Sequence, residues 1–384
     1  MDFAESAEQR MLREAVAKIA SGFGHGYYAE KARGGGKPTE LWDALAGAGY
    51  LGVNLPEEYG GGGCGVTELA IVCEEMAAVG CSLFLVVVSP GICGSILARH
   101  GTEEQKRRWL PGIADGSFKM AFAITEPDAG SNSHNLSTTA DREGDGYRLR
   151  GQKYFISGVD EADAILVVAK TGTDPGTGRG RLSLFVVDAG APALKKTLIP
   201  VEMVSTDKQY TLFFDDVRVG ADRLLGTEGD GLRQAFTGLN PERITGAAAG
   251  LGLARYALDK AARYASQRKV WGAPIGTHQG LAHPLAQAKI DLELAKLMTY
   301  KAAWLFDTGQ DAGEAANMAK FAAAETALFA LDQAIQTHGG NGLASEFGLA
   351  DLWFVARLLR TAPVSREMVL NFVAEHSLGL PRSY

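Results

Sequence analysis

A block of short, alternating apolar runs in the middle of the chain limits the possible folds most. Between about residues 119 and 225 the runs AFAIT, YRLRGQKYFIS, AILVVAK, RLSLFVV and YTLFF are separated by turn-forming stretches such as EGDG and TGTDPGTGRG. Runs of this length are typical of β-strands, and no helical segment lies between them to connect parallel strands. The sequence therefore predicts an antiparallel sheet or barrel here.

Helical patterns flank this block on both sides. Before it, apolar residues recur at helical spacing, as at Leu12, Val16 and Ile19, and the stretch TEEQ that begins at Thr102 is a capping box. After it, four long segments with apolar stripes and short connections are typical of a helical bundle. These segments are 241–267, 280–307, 312–337 and 348–376. The fold class is α+β, with domains predicted at 1–118 (helical), 119–230 (β) and 231–384 (four-helix bundle).

Composition and charge exclude several classes of protein. The chain has 384 residues, a net charge of −7 with interspersed signs, and four cysteines without CxxC spacing, so nucleic-acid binding, a disulfide scaffold and a zinc site are not expected. No metal is predicted. The longest apolar run, LFLVVV at 83–88, is too short to span a bilayer, and the acidic start MDFAESAEQR lacks the apolar core of a signal peptide. We expect a cytoplasmic protein.

Several short motifs suit a ligand site, yet each has an ordinary structural explanation. GGGGCG at 60–65 has the spacing of a dinucleotide-binding loop, but LPEEY precedes it instead of a strand, so a flexible loop is the better explanation. TEPDAGSN at 125–132 presents hydroxyls and backbone donors at a strand end, or is a hairpin turn. YFISG at 154–158 places Phe155 and Ser157 on one strand face, or buries an aromatic in the core.

Two further motifs lie at helix ends. RKVWG at 268–272 follows a predicted helix, and the glycines of QTHGGNG at 336–342 permit left-handed backbone and close approach of a ligand. A helix C-cap explains the glycines equally well, and His338 alone indicates a structural role.

Glu242 is the most notable acidic residue. Asn240 is a good N-cap and Pro241 suits the first helical position, so Glu242 is predicted in the first turn of a helix, where a carboxylate complements the helix dipole. The alternative is a catalytic base. Burial against Ala247 and Ala248 would raise its pKa, whereas the helix N-terminus would lower it, and we expect desolvation to dominate.

Taken together, the motifs resemble those of the acyl-CoA dehydrogenase family. The resemblance covers nearly the whole chain and rests on the order and separations of MAFAITEPDAGSN, YFISG, FFDDVRV, LLGTEGDG, RITGAAAGLGLARYAL, YASQRKVWG and QTHGGNG. It implies an N-terminal helical domain, a middle β-domain and a C-terminal four-helix bundle, usually in a homotetramer. FAD would lie between the last two domains and reach a neighbouring subunit. The implied reaction is α,β-dehydrogenation of an acyl-CoA thioester to trans-2-enoyl-CoA in fatty acid β-oxidation, with electron-transferring flavoprotein as the acceptor.

The resemblance also implies ligand-binding residues. Those around the isoalloxazine ring are Phe122, Ile124, Thr125, Gly130, Ser131, Phe155 and Ser157. Those that reach the diphosphate and adenosine from a neighbouring subunit are Arg268, Trp271, Gln279, Gln336, Gly339 and Gly340. The substrate-binding residues are Ser131, Asn240 and Arg243.

The catalytic base has two possible positions in this family. In the segment RTAPVS, Ala362 occupies the place where many relatives carry the acid, whereas Glu242 and Arg243 match the place used by isovaleryl- and long-chain-type enzymes. The resemblance thus implies Glu242 as the base that takes the α-proton while a β-hydride passes to FAD. It also implies the backbone N–H of Ala362 as a hydrogen-bond donor to the thioester oxygen.

Two segments depart from the family pattern. Pro363-Val364 replace a Gly-Thr pair that approaches the flavin, and MVSTDKQYT at 203–211 differs from the common pattern, so contacts there are not carried over. A flavin monooxygenase or oxidase on the same fold and a non-catalytic homologue are the alternative functions.

Overall fold

The N-terminal part of the fold is helical, as predicted. A computed structural model of the chain describes residues 4–383, so the first three residues of the stretch MDFAESAEQR lie outside the described residues. The helices are α1 Ala7–Ser21, α2 Gly24–Arg33, α3 Thr39–Gly47, α4 Val66–Ala77, α5 Phe84–Val86, α6 Ser95–His100 and α7 Glu103–Ala114, with a π-helical stretch Val87–Gly94 between α5 and α6. No helix within 4–383 is long and apolar enough to cross a lipid bilayer.

Two local predictions in this part are confirmed. At the start of α7 the Thr102 hydroxyl accepts the Gln105 N–H at 3.2 Å, and the Gln105 side chain accepts the Thr102 N–H at 3.0 Å, which completes the capping box. The glycine-rich stretch 60–65 is a loop before α4, and a short 3-10 helix, Glu57–Tyr59, precedes it instead of a strand.

A single sheet forms the middle of the molecule. Its strands are β1 Met120–Ala123, β2 Thr139–Glu143, β3 Gly146–Ser157, β4 Ala164–Thr173, β5 Gly180–Asp188, β6 Leu194–Ile199, β7 Gln209–Gly220 and β8 Leu224–Leu225. They follow the order β6-β7-β3-β2-β4-β5-β8, and β1 pairs with β4. The strand pairs are antiparallel, with two exceptions at β4. Strand β1 pairs with β4 in parallel from Met120↔Ala164, and β2 pairs with β4 in parallel at the single position Thr139↔Lys170.

The prediction of a purely antiparallel sheet is therefore wrong at β4. A parallel pair needs a connection of a dozen residues or more, which is usually a helix. Here the chain between β1 and β4 instead contains the loop after β1 and the β2–β3 hairpin, which together make the crossover.

Three long helices follow the sheet, instead of the predicted four. They are α8 Gly231–Gln267, α9 Gln279–Asp307 and α10 Gly313–His338, and a small hairpin of β9 Lys269–Val270 and β10 Ala273–Pro274 joins α8 to α9. The predicted helix 348–376 is broken into α11 Trp353–Leu358 and α12 Arg366–Phe372. Pro363 lacks an N–H and disfavours helical backbone at the residue before it, so a continuous helix is unfavourable here and the chain turns between α11 and α12.

Helix α8 also begins earlier than predicted. Asp230 is its N-cap residue, and Asn240 and Pro241 lie inside the helix. Pro241 removes one backbone hydrogen bond, but the helix packs closely just before it: a Cβ on Gly238 would lie 2.6 Å from the Ile92 carbonyl. Glu242 is therefore about three turns from the positive end of α8, and the helix-dipole explanation for this residue is wrong.

Candidate active site

The carboxylate of Glu242 lies in a partly enclosed position on α8. Burial raises the pKa of Glu242 to about 7 from its usual 4.5, although the nearby positive charges of Arg243 and Lys320 oppose this shift. The residue keeps some solvent exposure, while Ile244 and Thr245 beside it are buried. Burial thus outweighs these two positive charges. Its expected balance against a helix N-terminus does not arise, because α8 begins well before Glu242. A carboxylate with a pKa near neutrality has the protonation behaviour of a general base.

Two positive charges, on the partly buried Arg243 and the buried Lys320, flank this carboxylate. The Arg243 guanidinium donates to the Leu239 carbonyl at 3.0 Å and to Asn240 Oδ1 at 3.3 Å, and its Nε is buried without a partner. Lys320 on α10 is 2 % exposed, donates to the carbonyl of Val364, and has its pKa lowered by burial to about 8. Neither cation forms a salt bridge within residues 4–383. Asn240 and Arg243, both predicted to bind substrate, are thus in contact with each other.

The predicted oxyanion donor has another acceptor. The Ala362 N–H donates to the Leu358 carbonyl at 2.9 Å, as does the Thr361 N–H at 2.8 Å, because the chain turns tightly after α11. The Ala362 N–H thus already has an acceptor within the chain. Its role toward a thioester oxygen stays a prediction.

The residues predicted around the isoalloxazine ring meet at one corner of the sheet. Phe122 is buried on β1, and Ile124 and Thr125 follow it, half-buried. The Tyr154 N–H donates to the Thr125 carbonyl at 2.9 Å, which brings the end of β3, with Phe155, against this loop. The remaining members are Gly130 and Ser131, exposed on the loop after β1, and Ser157, half-buried at the end of β3.

Phe155 has an unusual backbone and an exposed ring. It lies in a bulge between Lys153 and Ile156 with φ +55°, and 50 % of the residue is exposed. The bulge interrupts strand alternation, so the prediction that Phe155 and Ser157 share a face by simple alternation is wrong. A core role for Phe155 is excluded as well.

Left-handed backbone at a bulky residue is rare and concentrates at functional sites. Among the described residues, the non-glycine residues with positive φ are Phe155, Asp216 and Trp271. Two of these belong to the predicted cofactor set. The Trp271 side chain, at the turn of the β9–β10 hairpin, is 92 % exposed. Exposed aromatic rings held on constrained backbone fit a planar aromatic ligand such as a flavin.

The residues predicted to reach the diphosphate and adenosine lie at helix ends of the C-terminal part. Arg268 is the C-cap residue of α8, Gln279 begins α9, and Gly339 caps α10 with φ +59°. With Gln336 and Gly340, these residues are all exposed in the single chain. No contact in the described chain joins them to the corner at Phe155, and their role toward a neighbouring subunit stays a prediction.

His338 has the structural role indicated by its sequence. Its Nδ1 is 2.7 Å from the Ala334 carbonyl, and its ring stacks on Tyr264 with centroids 4.2 Å apart. Burial lowers the pKa of His338. These contacts account for the residue without a catalytic function.

A buried ion pair at the same corner is absent from the sequence-based predictions. Lys153 and Glu126, 0 % and 3 % exposed, lie 2.8 Å apart, and Lys153 Nζ also donates to the Ile124 carbonyl at 2.9 Å. Burial lowers the pKa of Lys153 to about 8. Burial opposes the shift at Glu126, but the adjacent ammonium lowers its pKa to about 2. The sequence contains one signal for this ion pair. By strand alternation, Lys153 falls on the same face as Tyr147 and Leu149, which are buried in β3.

Comparison with known proteins covers the whole chain. Sequence families described as the N-terminal, middle and C-terminal domains of acyl-CoA dehydrogenase match residues 6–117, 121–217 and 229–378. The acyl-CoA dehydrogenase FadE12 of Mycobacterium tuberculosis is 58% identical over 384 residues, which covers 100% of this chain and 99% of that protein.

Solved structures agree with this assignment. A glutaryl-coenzyme A dehydrogenase in complex with glutaryl-CoA superposes with a TM-score of 0.94 at 31% identity, covering 100% of this chain and 98% of that one. An FAD complex of PigA superposes with a TM-score of 0.92 at 28% identity, covering 99% and 100%. With the three-part fold and the corner around Phe155, these matches show that the chain belongs to the acyl-CoA dehydrogenase family of FAD-dependent oxidoreductases.

Proposed function

We propose that this protein dehydrogenates an acyl-CoA thioester between its α- and β-carbons, with Glu242 as the base. The observation that carries the proposal is the placement of Glu242. Its carboxylate has a pKa of about 7 and lies beside the partly buried Arg243 and the buried Lys320. The helix dipole does not explain the position of Glu242, because α8 begins well before this residue.

The charges of Glu242, Arg243 and Lys320 favour proton transfer from the substrate to Glu242. An ionised Glu242 carboxylate takes the α-proton, and a pKa near the working pH lets a substantial fraction of the enzyme carry the base in the correct form. Arg243 and Lys320 favour that ionised form, since each lowers the pKa of Glu242. Loss of the α-proton leaves negative charge on the substrate, which buried positive charges also stabilise.

FAD would be held by two groups of residues. Phe122, Ile124, Thr125, Phe155 and Ser157 would contact the isoalloxazine ring, and the exposed helix-end residues would reach the diphosphate and adenosine of a neighbouring subunit. When bound, FAD supplies the acceptor for the hydride that leaves the β-carbon. The protein supplies orientation and charge, and excludes water from the reacting atoms.

The experiment that tests the proposal is Glu242→Gln. The amide keeps the size of the side chain but cannot accept the proton, so turnover should fall at least about 10²-fold with FAD still bound. Turnover would be measured with a panel of acyl-CoA thioesters and an artificial electron acceptor. Asp259→Asn, an exposed acid on the same helix, is the matched control and should retain full activity. Near-normal turnover of Glu242→Gln would assign the base to another group.

The same preparation distinguishes the alternative functions. Purified protein without yellow flavin that cannot take up FAD would indicate a non-catalytic homologue. Oxygen consumption as fast as reduction of the artificial acceptor would indicate an oxidase or monooxygenase. The proposed dehydrogenase should bleach anaerobically with its acyl-CoA and react slowly with oxygen.

The assembly, location and electron acceptor are also part of the proposal. Family membership supports a cytoplasmic homotetramer in β-oxidation that passes electrons to electron-transferring flavoprotein. The chain itself supports assembly, because α9 presents a row of exposed apolar side chains at helical spacing: Ile290, Leu294, Leu297 and Trp304, between 52% and 62% exposed.

A further inference from the structure

The hydroxyl of Ser157 is engaged by a neighbouring strand. Ser157 on β3 pairs with Gln209 on β7, and its Oγ lies 2.9 Å from Gln209 Oε1. Gln209 is 7 % exposed, so water has little access to this contact. An amide oxygen only accepts, and the hydroxyl must therefore donate.

The orientation of the Gln209 amide follows from its second partner. Its Nε2 faces the Asp207 carbonyl at 3.4 Å, and a carbonyl can only accept a hydrogen bond. Rotating the amide by half a turn would place two acceptors against each other. The two hydrogen-bond partners therefore determine that Oε1, and not Nε2, faces Ser157.

Asp207 is itself held firmly. Its carboxylate accepts the N–H groups of Phe84 and Leu85, both at 3.1 Å, at the start of α5, and the residue is 4 % exposed. The carbonyl that orients Gln209 therefore belongs to a segment fixed between the N-terminal helices and the sheet. The short relay Asp207–Gln209–Ser157 is consequently rigid.

We propose that Gln209 is a positioning residue that accepts the hydrogen bond donated by the Ser157 hydroxyl, so that this hydroxyl has only lone pairs left for the flavin. This inference rests on the proposed function, because it requires FAD at the corner beside Phe155. The reactive nitrogen of an oxidised flavin accepts a hydrogen bond, whereas in the reduced flavin it carries a hydrogen and donates. A lone pair facing that nitrogen favours reduced FAD.

The test is the midpoint potential of bound FAD in Gln209→Leu, measured by anaerobic equilibration with a reference dye. Without Gln209, the Ser157 hydroxyl can turn its hydrogen toward the oxidised flavin. We expect the ratio of reduced to oxidised flavin at a fixed potential to fall about tenfold, which is a shift of about 30 mV to lower potential. Gln209→Met serves as a second variant with an unbranched side chain.

The control is the same change in a Ser157→Ala background. If Gln209 acts through the hydroxyl, its loss should leave the potential of that protein unchanged. Thr211→Val alters another buried polar residue two positions along β7, which pairs with Thr197 instead, and should also leave the potential unchanged.

The outcomes separate this inference from the proposed function. Wild-type protein that binds no FAD would overturn both. FAD binding with an unchanged or higher potential in the Gln209 variants, or an equal shift in the Ser157→Ala background, would overturn the inference alone. Loss of FAD from both Gln209 variants but not from Ser157→Ala would overturn it too, since Gln209 would then act on folding of the site.

Discussion

At the residue scale, three charged side chains meet at the proposed catalytic site. Glu242 is raised to a pKa of about 7 by burial, and Arg243 and Lys320 act in the opposite direction. Lys320 is also the donor to the Val364 carbonyl, so one side chain links the electrostatics of the base to the turn after α11. With Glu242 as the proposed base, we therefore expect the working pH to depend on Lys320 as well.

Removal of the Lys320 charge should shift the pH dependence of activity. The base must be ionised, so activity rises as pH increases through the pKa of Glu242. Lys320 lowers that pKa, and Lys320→Met should move the acid limb of the kcat/KM profile to higher pH. Activity relative to wild type should be at least about threefold lower at pH 6 than at pH 8.5, because each pKa unit is about tenfold in ionised fraction.

The matched control for this prediction is Lys301→Met, an exposed lysine on α9. Its profile should coincide with that of the wild type. A Lys320→Met enzyme that binds FAD and keeps the wild-type acid limb would show that Lys320 has no electrostatic influence on the base.

At the element scale, the corner around Phe155 depends on how β1 and β3 are joined. The Thr125–Tyr154 backbone hydrogen bond and the Lys153–Glu126 pair hold the loop after β1 against the bulge of β3. Glu126 also accepts the N–H groups of Ser137 and Thr138, at 2.6 and 3.0 Å, so the pair anchors the chain before β2 as well. A charged pair in the core thus aligns the backbone that we propose faces the flavin.

Breaking this pair should destabilise the site. Lys153→Met leaves the Glu126 carboxylate buried without its cation, which typically costs about 3–5 kcal/mol. We expect a lower Tm and faster FAD release. Adding Glu126→Gln should restore part of the loss, since it removes the unpaired charge. Lys195→Met, on the exposed face of β6, is the control, and an unchanged Tm in Lys153→Met would contradict the role of the pair.

The ends of the helices show which features can be predicted from neighbouring residues alone. The capping box at Thr102 is predictable because both of its partners lie within one turn. The start of α8 is harder, because Asn240-Pro241 has the local chemistry of a helix N-terminus, and only packing at Gly238 shows that the helix continues through it. The break before α12 follows from Pro363, a local signal that the apolar stripe over 348–376 obscures.

At the scale of the whole molecule, the row of exposed apolar side chains on α9 is the proposed subunit interface. Ile290, Leu294, Leu297 and Trp304 share one helix face and remain exposed in the single chain. The residues predicted to bind diphosphate and adenosine are also exposed, and they lie apart from the corner around Phe155. Assembly into a homotetramer would cover the first set and complete the second.

Leu294→Glu should therefore weaken assembly. Burying a charge in an apolar interface is unfavourable, so the mass in analytical ultracentrifugation should fall below that of a tetramer. FAD content should fall together with the mass if a neighbouring subunit completes the cofactor site. Asp43→Lys, an exposed charge change on α3, should alter neither. A tetramer of normal FAD content in Leu294→Glu would place the subunit interface elsewhere.

The sequence by itself determines the order of helical and β segments, the family, the acid at position 242 and the candidate flavin residues, because periodicity, turn chemistry and motif order are properties of neighbouring residues. Only the tertiary structure decides the parallel pairing of β1 with β4, the left-handed bulge at Phe155, the partner of the Ala362 N–H and the depth at which Lys153 and Lys320 are buried. Each of these depends on contacts between segments far apart in the chain, and such contacts override local preference when they bury apolar surface or pair a desolvated charge.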